Sequence, residues 1–187
     1  MLVLASQSPR RRELIARLGL PYEVQTSNAD ESVCGLLRPL ELVIELSRRK
    51  AEAVAKERPE DLVLGVDTVV VLDGRILGKP KDADDARSML HLLSGRSHEV
   101  CSGFTLISRD KTYSECVSTT VRFAVLTQRE IEEYVASGEP LDKAGAYGIQ
   151  GLGGLFVTGI VGDYYNVVGF PLNAIYDALK NRYGVYS

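Results

Sequence analysis

The sequence predicts an α/β protein, with a mixed, twisted sheet flanked by helices. Three observations carry that reading. Over the first half of the chain, apolar runs of strand length alternate with helical patterns. Mid-chain, two long β segments, about residues 98–108 and 112–126, are joined by a short connection around Arg109-Asp110. Breaker residues, Gly19, Ser94-Gly95 and Ser137-Gly138, then close three of the helical patterns. Alternation early and antiparallel pairing later call for a mixed sheet.

The elements follow in order. Residues 2–5 form a short apolar strand, and Ser8-Pro9 opens a helix with Ser as N-cap and Pro at the first helical position. Leu14, Ile15 and Leu18 give that helix its apolar face; Gly19 ends it, with Pro21 just beyond. Residues 22–26 read as a second strand, and the polar stretch 27–38 contains Asp30 and Glu31. Pro39 starts a longer helix to about Glu57, with Leu40, Val43, Ile44, Ala51 and Val54 inward. Residues 62–66 are a continuous apolar strand, which Asp67-Thr68 interrupts before 69–72 continues. Asp73-Gly74 is a hairpin turn signal. A helix over 82–93 stops at Ser94-Gly95, and Thr127 with Glu130 makes a capping box for one ending at Ser137-Gly138. A Gly-rich segment, a turn at 161–163 and a last helix opened by Pro171 complete one domain spanning residues 1–187.

The 187 residues are 45% apolar and 25% charged, and 22 basic against 25 acidic side chains leave a formal charge of −3. A chain of this length buries about 70% of its unfolded surface without a metal or disulfide. The near balance of charge argues against a duplex-binding domain. There is no Trp for stacking single strands, and Phe104 and Phe123 read as core, so no nucleic-acid partner is expected. Cys34, Cys101 and Cys116 are widely spaced, and His91 and His98 offer no zinc-ligand spacing. The odd thiol count, the absence of an apolar run near ~18 residues and the lack of a basic leader point to a cytoplasmic, non-membrane protein.

Four segments could carry chemistry. In Ser6-Gln7-Ser8-Pro9-Arg10-Arg11, a strand runs into a helix N-terminus, and two arginines sit where cations oppose the helix dipole. An anion between them and the amides gives that placement a reason; a solvated basic turn is the alternative. Asp67 ends an apolar run, and a buried carboxylate needs a partner charge or a metal; capping a local turn accounts for it as well. With Asp30 and Glu31 it could hold a divalent ion through oxygen ligands. Lys79 follows the hairpin and Lys50 lies late in the second helix, each read alone as an ordinary surface charge. The segment 142–151 is rich in small residues that allow close backbone approach, and its Gln150 offers both a donor and an acceptor.

The motifs Leu4-Ala5-Ser6-Gln7-Ser8-Pro9-Arg10-Arg11, Gly65-Val66-Asp67-Thr68, Leu77-Gly78-Lys79-Pro80, Leu93-Ser94-Gly95-Arg96 and residues 142–151 occur in the order seen in the Maf family. Val167-Val168-Gly169-Phe170-Pro171-Leu172 resembles its closing motif, so the resemblance runs almost end to end. It implies an inosine-triphosphatase-like fold with two lobes around a central cleft. It also implies hydrolysis of nucleoside triphosphates to monophosphate and pyrophosphate, with a divalent cation, Mg or Mn, and allows a homodimer. By resemblance Asp67 is the proton acceptor that activates water. Ser6, Arg11, Lys50 and Lys79 match positions that line the triphosphate site, and Glu31 with Asp67 those near the metal, Asp30 being a less regular neighbour. Arg10, Thr68 and Gln150 match the base-selecting positions of the dTTP/UTP branch, where the 7-methyl-GTP branch carries Trp, Gln and Glu.

A physical rationale accompanies the last match. One Gln amide can accept from the N3–H of uracil or thymine and donate to the neighbouring carbonyl, whereas a Glu carboxylate only accepts. Two alternatives stay open at this point: the same hydrolysis on another base such as 7-methyl-GTP, and a non-catalytic nucleotide-binding regulator of septum formation. The carboxylates favour the enzyme, because a simple triphosphate binder gains little from negative charge beside phosphates.

Overall fold

β3 (Leu62–Leu72) runs unbroken through Asp67 and Thr68. The interruption expected at that pair is therefore absent: a polar residue is tolerated inside an apolar strand when another element supplies its partner. Side chains alternate along the strand, so Gly65 and Asp67 share one face while Val66 and Thr68 take the other.

The computed structural model describes residues 1–30, 32 and 37–186, so Glu31 and Cys34 lie outside the described residues. β1 (Leu2–Ala5), β2 (Tyr22–Gln25), β3, β5 (Ser97–Ser108), β6 (Lys111–Phe123) and β7 (Val157–Val161) form a sheet in the order β2-β1-β3-β5-β6-β7, and β4 (Arg75–Leu77) pairs with β3. β1 is parallel to both β2 and β3, whereas β4 and β7 pair antiparallel with β3 and β6. The sheet is mixed, as expected. Asp73 and Gly74, with φ of 51° and 76°, make the tight β3–β4 turn.

The helices are α1 (Pro9–Ile15), α2 (Pro39–Ala55), α3 (Ala83–Leu93), α4 (Gln128–Ala136), α5 (Tyr164–Val168) and α6 (Leu172–Tyr183). Asp82 caps α3 through the Asp85 N–H, and the Thr127–Glu130 capping box opens α4. Two further expectations are corrected. Ser8 occupies the N-cap of α1, but its side chain makes no cap bond. Leu40, 44% exposed, faces solvent, and Leu46 and Ser47 are buried in its stead. The turn near 161–163 is flanked by β7 and α5, both short enough to leave weak sequence signals.

The chain divides into two compact units. The first comprises Met1–Asp67, Ser102–Val117 and Gly169–Ser187; the second comprises Thr68–Cys101 and Ser118–Val168. In the first, Val3, Ala5 and Val63 of the sheet pack on Ala51 and Val54 of α2. In the second, a larger core gathers Leu90 and Leu93 of α3, Ile131 of α4, and the rings of Phe123, Tyr134, Tyr147 and Phe156. Cys101, buried, lies beside the Ser118 hydroxyl, and neither Cys101 nor Cys116 is in a disulfide. No helix among the described residues is long and apolar enough to cross a membrane.

Candidate active site

In the first unit, one close contact sets the geometry around Asp67. A Cβ on Gly65 would lie 2.1 Å from the Ser47 carbonyl oxygen and 2.8 Å from the Ala51 nitrogen, so α2 rests directly on β3 there. Gly103 on β5 repeats the arrangement, its missing Cβ falling 2.4 Å from the Val43 carbonyl. On a helix, residue 50 follows residue 47 on the same face; on a strand, residue 67 follows residue 65. Lys50 consequently meets Asp67, its Nζ donating to Oδ1 at 2.6 Å. The two side chains are only 13% and 10% exposed. Burying an ion pair adds little net stability, so its presence here points to chemistry. Among the described residues, Oδ2 of Asp67 accepts no hydrogen bond.

Arg11 braces the same strand. Its guanidinium donates to the Val66 carbonyl at 2.7 Å and to the Gly169 carbonyl at 2.9 Å. Ala5 pairs with Gly65, so the chain leaves β1 level with Val66. Ser6 is buried there, and its Oγ accepts from the Ser8 N–H at 3.1 Å. Arg10 follows, half-buried in the first turn of α1.

The second unit holds Thr68, half-buried on β3, and Lys79, exposed just after β4. The carbonyl of Gly78 accepts from the Gly145 N–H at 3.0 Å, tying the Lys79 segment to the glycine-rich one. Tyr147 anchors that segment: it is buried against Phe123 at 4.7 Å between ring centroids, and its hydroxyl bonds His98 Nε2 at 2.8 Å. Burial pushes the His98 pKa down to about 4, and its Nδ1 has no hydrogen-bond partner among the described residues. Gln150 is exposed three residues beyond Tyr147. Glu139 stands beneath it, accepting from the Leu152 and Gly153 N–H groups at 2.9 and 3.1 Å and from the Tyr134 hydroxyl at 2.9 Å.

The motif order and this geometry agree with one family: a profile of Maf-like proteins matches residues 1–182. The chain belongs to the Maf family. A protein named dTTP/UTP pyrophosphatase from Bacillus cytotoxicus is 50% identical over 178 residues, 95% of this chain and 93% of its own length. A protein of the same name from Bacillus cereus is 48% identical over 179 residues, 96% of this chain and 94% of its own. Among solved structures, the Staphylococcus aureus Ham1 protein is similar in fold, with a TM-score of 0.56 at 16% identity over 97% of this chain and 98% of that one.

Within this Maf chain, the structure joins Lys50 directly to Asp67 and clamps Arg11 to the residue before Asp67. Ser6, Arg10, Arg11, Lys50 and Asp67 belong to the first unit; Thr68, Lys79 and Gln150 belong to the second. Asp30 is exposed and bonded to Ser32, and the Ser32 contacts hold its carboxyl below the usual range. Among the described residues no group of three or more His, Cys, Asp or Glu side chains could cage a metal. The oxygen-only donor set at Asp67 still fits a hard divalent ion of the kind held by one or two carboxylates plus substrate phosphates. Sequence reasoning missed Gly65 as a contact glycine and Glu139 altogether. The signal for Glu139 was available: a carboxylate placed just after a helix stop and shortly before a run of glycines.

Proposed function

We propose that this chain hydrolyses dTTP and UTP to the nucleoside monophosphate and pyrophosphate. The observation that carries the proposal is the buried Asp67, held at one oxygen by Lys50 and with its other oxygen accepting no hydrogen bond among the described residues. Asp67 Oδ2 accepts a proton from a water as the water oxygen attacks the α-phosphorus. The bond from that phosphorus to the bridging oxygen breaks, and pyrophosphate leaves with the bridging oxygen. Lys50 orients the carboxylate and offsets its buried charge. Catalysis of this kind is mostly positioning and electrostatic stabilisation.

Arg11, Lys79 and Ser6 serve the phosphates in this reading. Arg10, Thr68 and Gln150 select the base, with Gln150 pairing to the N3–H and carbonyl edge of uracil or thymine. Asp67 and Glu31 would hold a Mg²⁺ or Mn²⁺ ion, which when bound supplies neutralisation of phosphate charge. The reduced side chains of Cys101 and Cys116 suit the reducing cytoplasm.

The test is a product assay on separate UTP, dTTP, CTP, GTP and 7-methyl-GTP incubations, with and without Mg²⁺ or Mn²⁺. The expected result is UMP and dTMP with equimolar pyrophosphate. Diphosphate with orthophosphate would overturn the assigned bond. No turnover by folded, metal-supplied protein would overturn the enzyme reading in favour of a nucleotide-binding regulator.

A further inference from the structure

A glutamine amide does not select uracil unaided. Turned through 180°, it presents a donor where it had an acceptor, and then suits the amino group and N3 of cytosine. Selection needs the amide's own torsions to be set and, beneath them, the backbone that carries Gln150 to be held in place. The second unit contains a device that holds it from both sides.

On the upstream side, the Gly148 N–H donates to the Tyr134 hydroxyl at 3.1 Å. On the downstream side, the Leu152 and Gly153 N–H groups donate to the Glu139 carboxylate. The two anchors are one unit, because the Tyr134 hydroxyl also donates to Glu139 Oε1. The glycines record how closely the loop lies on them. A Cβ at Gly151 would fall 2.4 Å from Glu139 Oε2, and one at Gly153 would fall 2.6 Å from the Tyr134 hydroxyl oxygen. A Cβ at Gly148 would meet the stem of Lys143 at 2.6 Å, and the Lys143 Nζ donates to the Glu139 carbonyl at 2.7 Å. Three glycines around Gln150 thus answer to one cluster. Burial alone would raise the Glu139 pKa; the loop N–H groups, the Tyr134 hydroxyl and Lys143 outweigh it and hold the carboxyl below its usual range. Burial raises that of the Tyr134 hydroxyl, keeping it a donor.

We propose that Glu139, with Tyr134, is a positioning residue for base selection, fixing the 148–153 loop so that Gln150 meets the pyrimidine edge from one backbone position. The proposal rests on the reading of Gln150 given above. The test measures kcat and KM for UTP and CTP in the full chain and in Glu139→Ala, Glu139→Gln, Tyr134→Phe and Gln150→Ala, with a melting temperature for each.

In Glu139→Ala the preference for UTP over CTP is expected to fall about tenfold, the fold-change of one net hydrogen bond. The loss should appear in KM for UTP, with kcat for UTP held within about twofold. Glu139→Gln keeps one accepting oxygen and should recover part of the preference; it carries the test if Glu139→Ala fails to fold. An equal fall in kcat for both substrates, with the preference unchanged, would mean a merely structural role and overturn the proposal. An unchanged preference in the Glu139 variants, beside a collapsed one in Gln150→Ala, would overturn this inference alone. An unchanged preference in Gln150→Ala would remove the reading of Gln150 and this inference with it.

Discussion

In the first unit a buried polar group carries charge: Asp67 is buried, as are the neutral hydroxyls of Ser6, Ser47, Ser102 and Thr105. Lys50 and Asp67 pair out of solvent on the face where Gly65 lets α2 touch β3, and Arg11 spends part of its guanidinium on two backbone carbonyls. In the second unit the buried polar groups are neutral: His98 with Tyr147, Asn166 on the Val100 carbonyl, and Tyr134 on the rim of the glycine-rich loop. In the proposed reading the contrast matches two tasks. Moving a proton and stabilising phosphate charge call for fixed charges, while reading a base calls for fixed shape and hydrogen-bond direction.

The sharpest way to break the contrast is Asp67→Asn. It keeps the shape and removes the proposed proton acceptor, so turnover should fall by about 10²–10⁴-fold with the fold intact by circular dichroism. Near-normal turnover would take Asp67 out of its role. Lys50→Met comes next. It leaves the Asp67 carboxylate buried without its partner, and denaturant unfolding should show a loss of about 3–5 kcal/mol. A loss under ~1 kcal/mol would mean that water already reaches the pair.

The second unit should answer to acid. The His98 pKa lies near 4 in the folded protein against an unperturbed 6.5, so the folded state favours the neutral ring. The stability this contributes is fully present above pH 6.5 and is lost as pH falls from 6.5 toward 4, to a total of about 3 kcal/mol. Melting temperatures of the native chain and His98→Gln measured across that window should converge on acidification; parallel curves would count against it. The smallest effect is expected at Gln150→Glu. It trades a donor for an acceptor at the base edge, worth ~1–3 kcal/mol, and should move the UTP to 7-methyl-GTP preference by one or two decades. An unmoved ratio would leave base selection to Arg10 and Thr68.

Local order was legible in the sequence wherever local chemistry decides it. Pro9 and Pro39 open their helices, the Thr127–Glu130 box caps α4, and Asp73-Gly74 turns the hairpin. What stayed hidden depends on partners far along the chain. Asp67 looked like a strand breaker because Lys50, seventeen residues away, neutralises it only after α2 docks. Gly65 belongs to a recognisable motif, yet its physical reason, the Ser47 carbonyl, is a tertiary contact. β7 escaped because Gly159 and a register shift opposite Arg122 and Phe123 weaken its pattern. The site was legible mainly through resemblance. Glu139 was passed over despite its place between a helix stop and a run of glycines, since a carboxylate among exposed turn residues reads as solvated until the loop closes on it.

The unbroken course of β3 bears on which genetic changes this chain can survive. Asp67 and Thr68 are neighbours that point to opposite sides of one strand, and each side is matched to its surroundings by parity alone. Deleting or inserting one residue between 63 and 66 would exchange the two sides at a stroke. The carboxylate would turn away from Lys50, and no later substitution at a single position could turn it back. Point changes along this strand are negotiable one at a time; changes in its length are not.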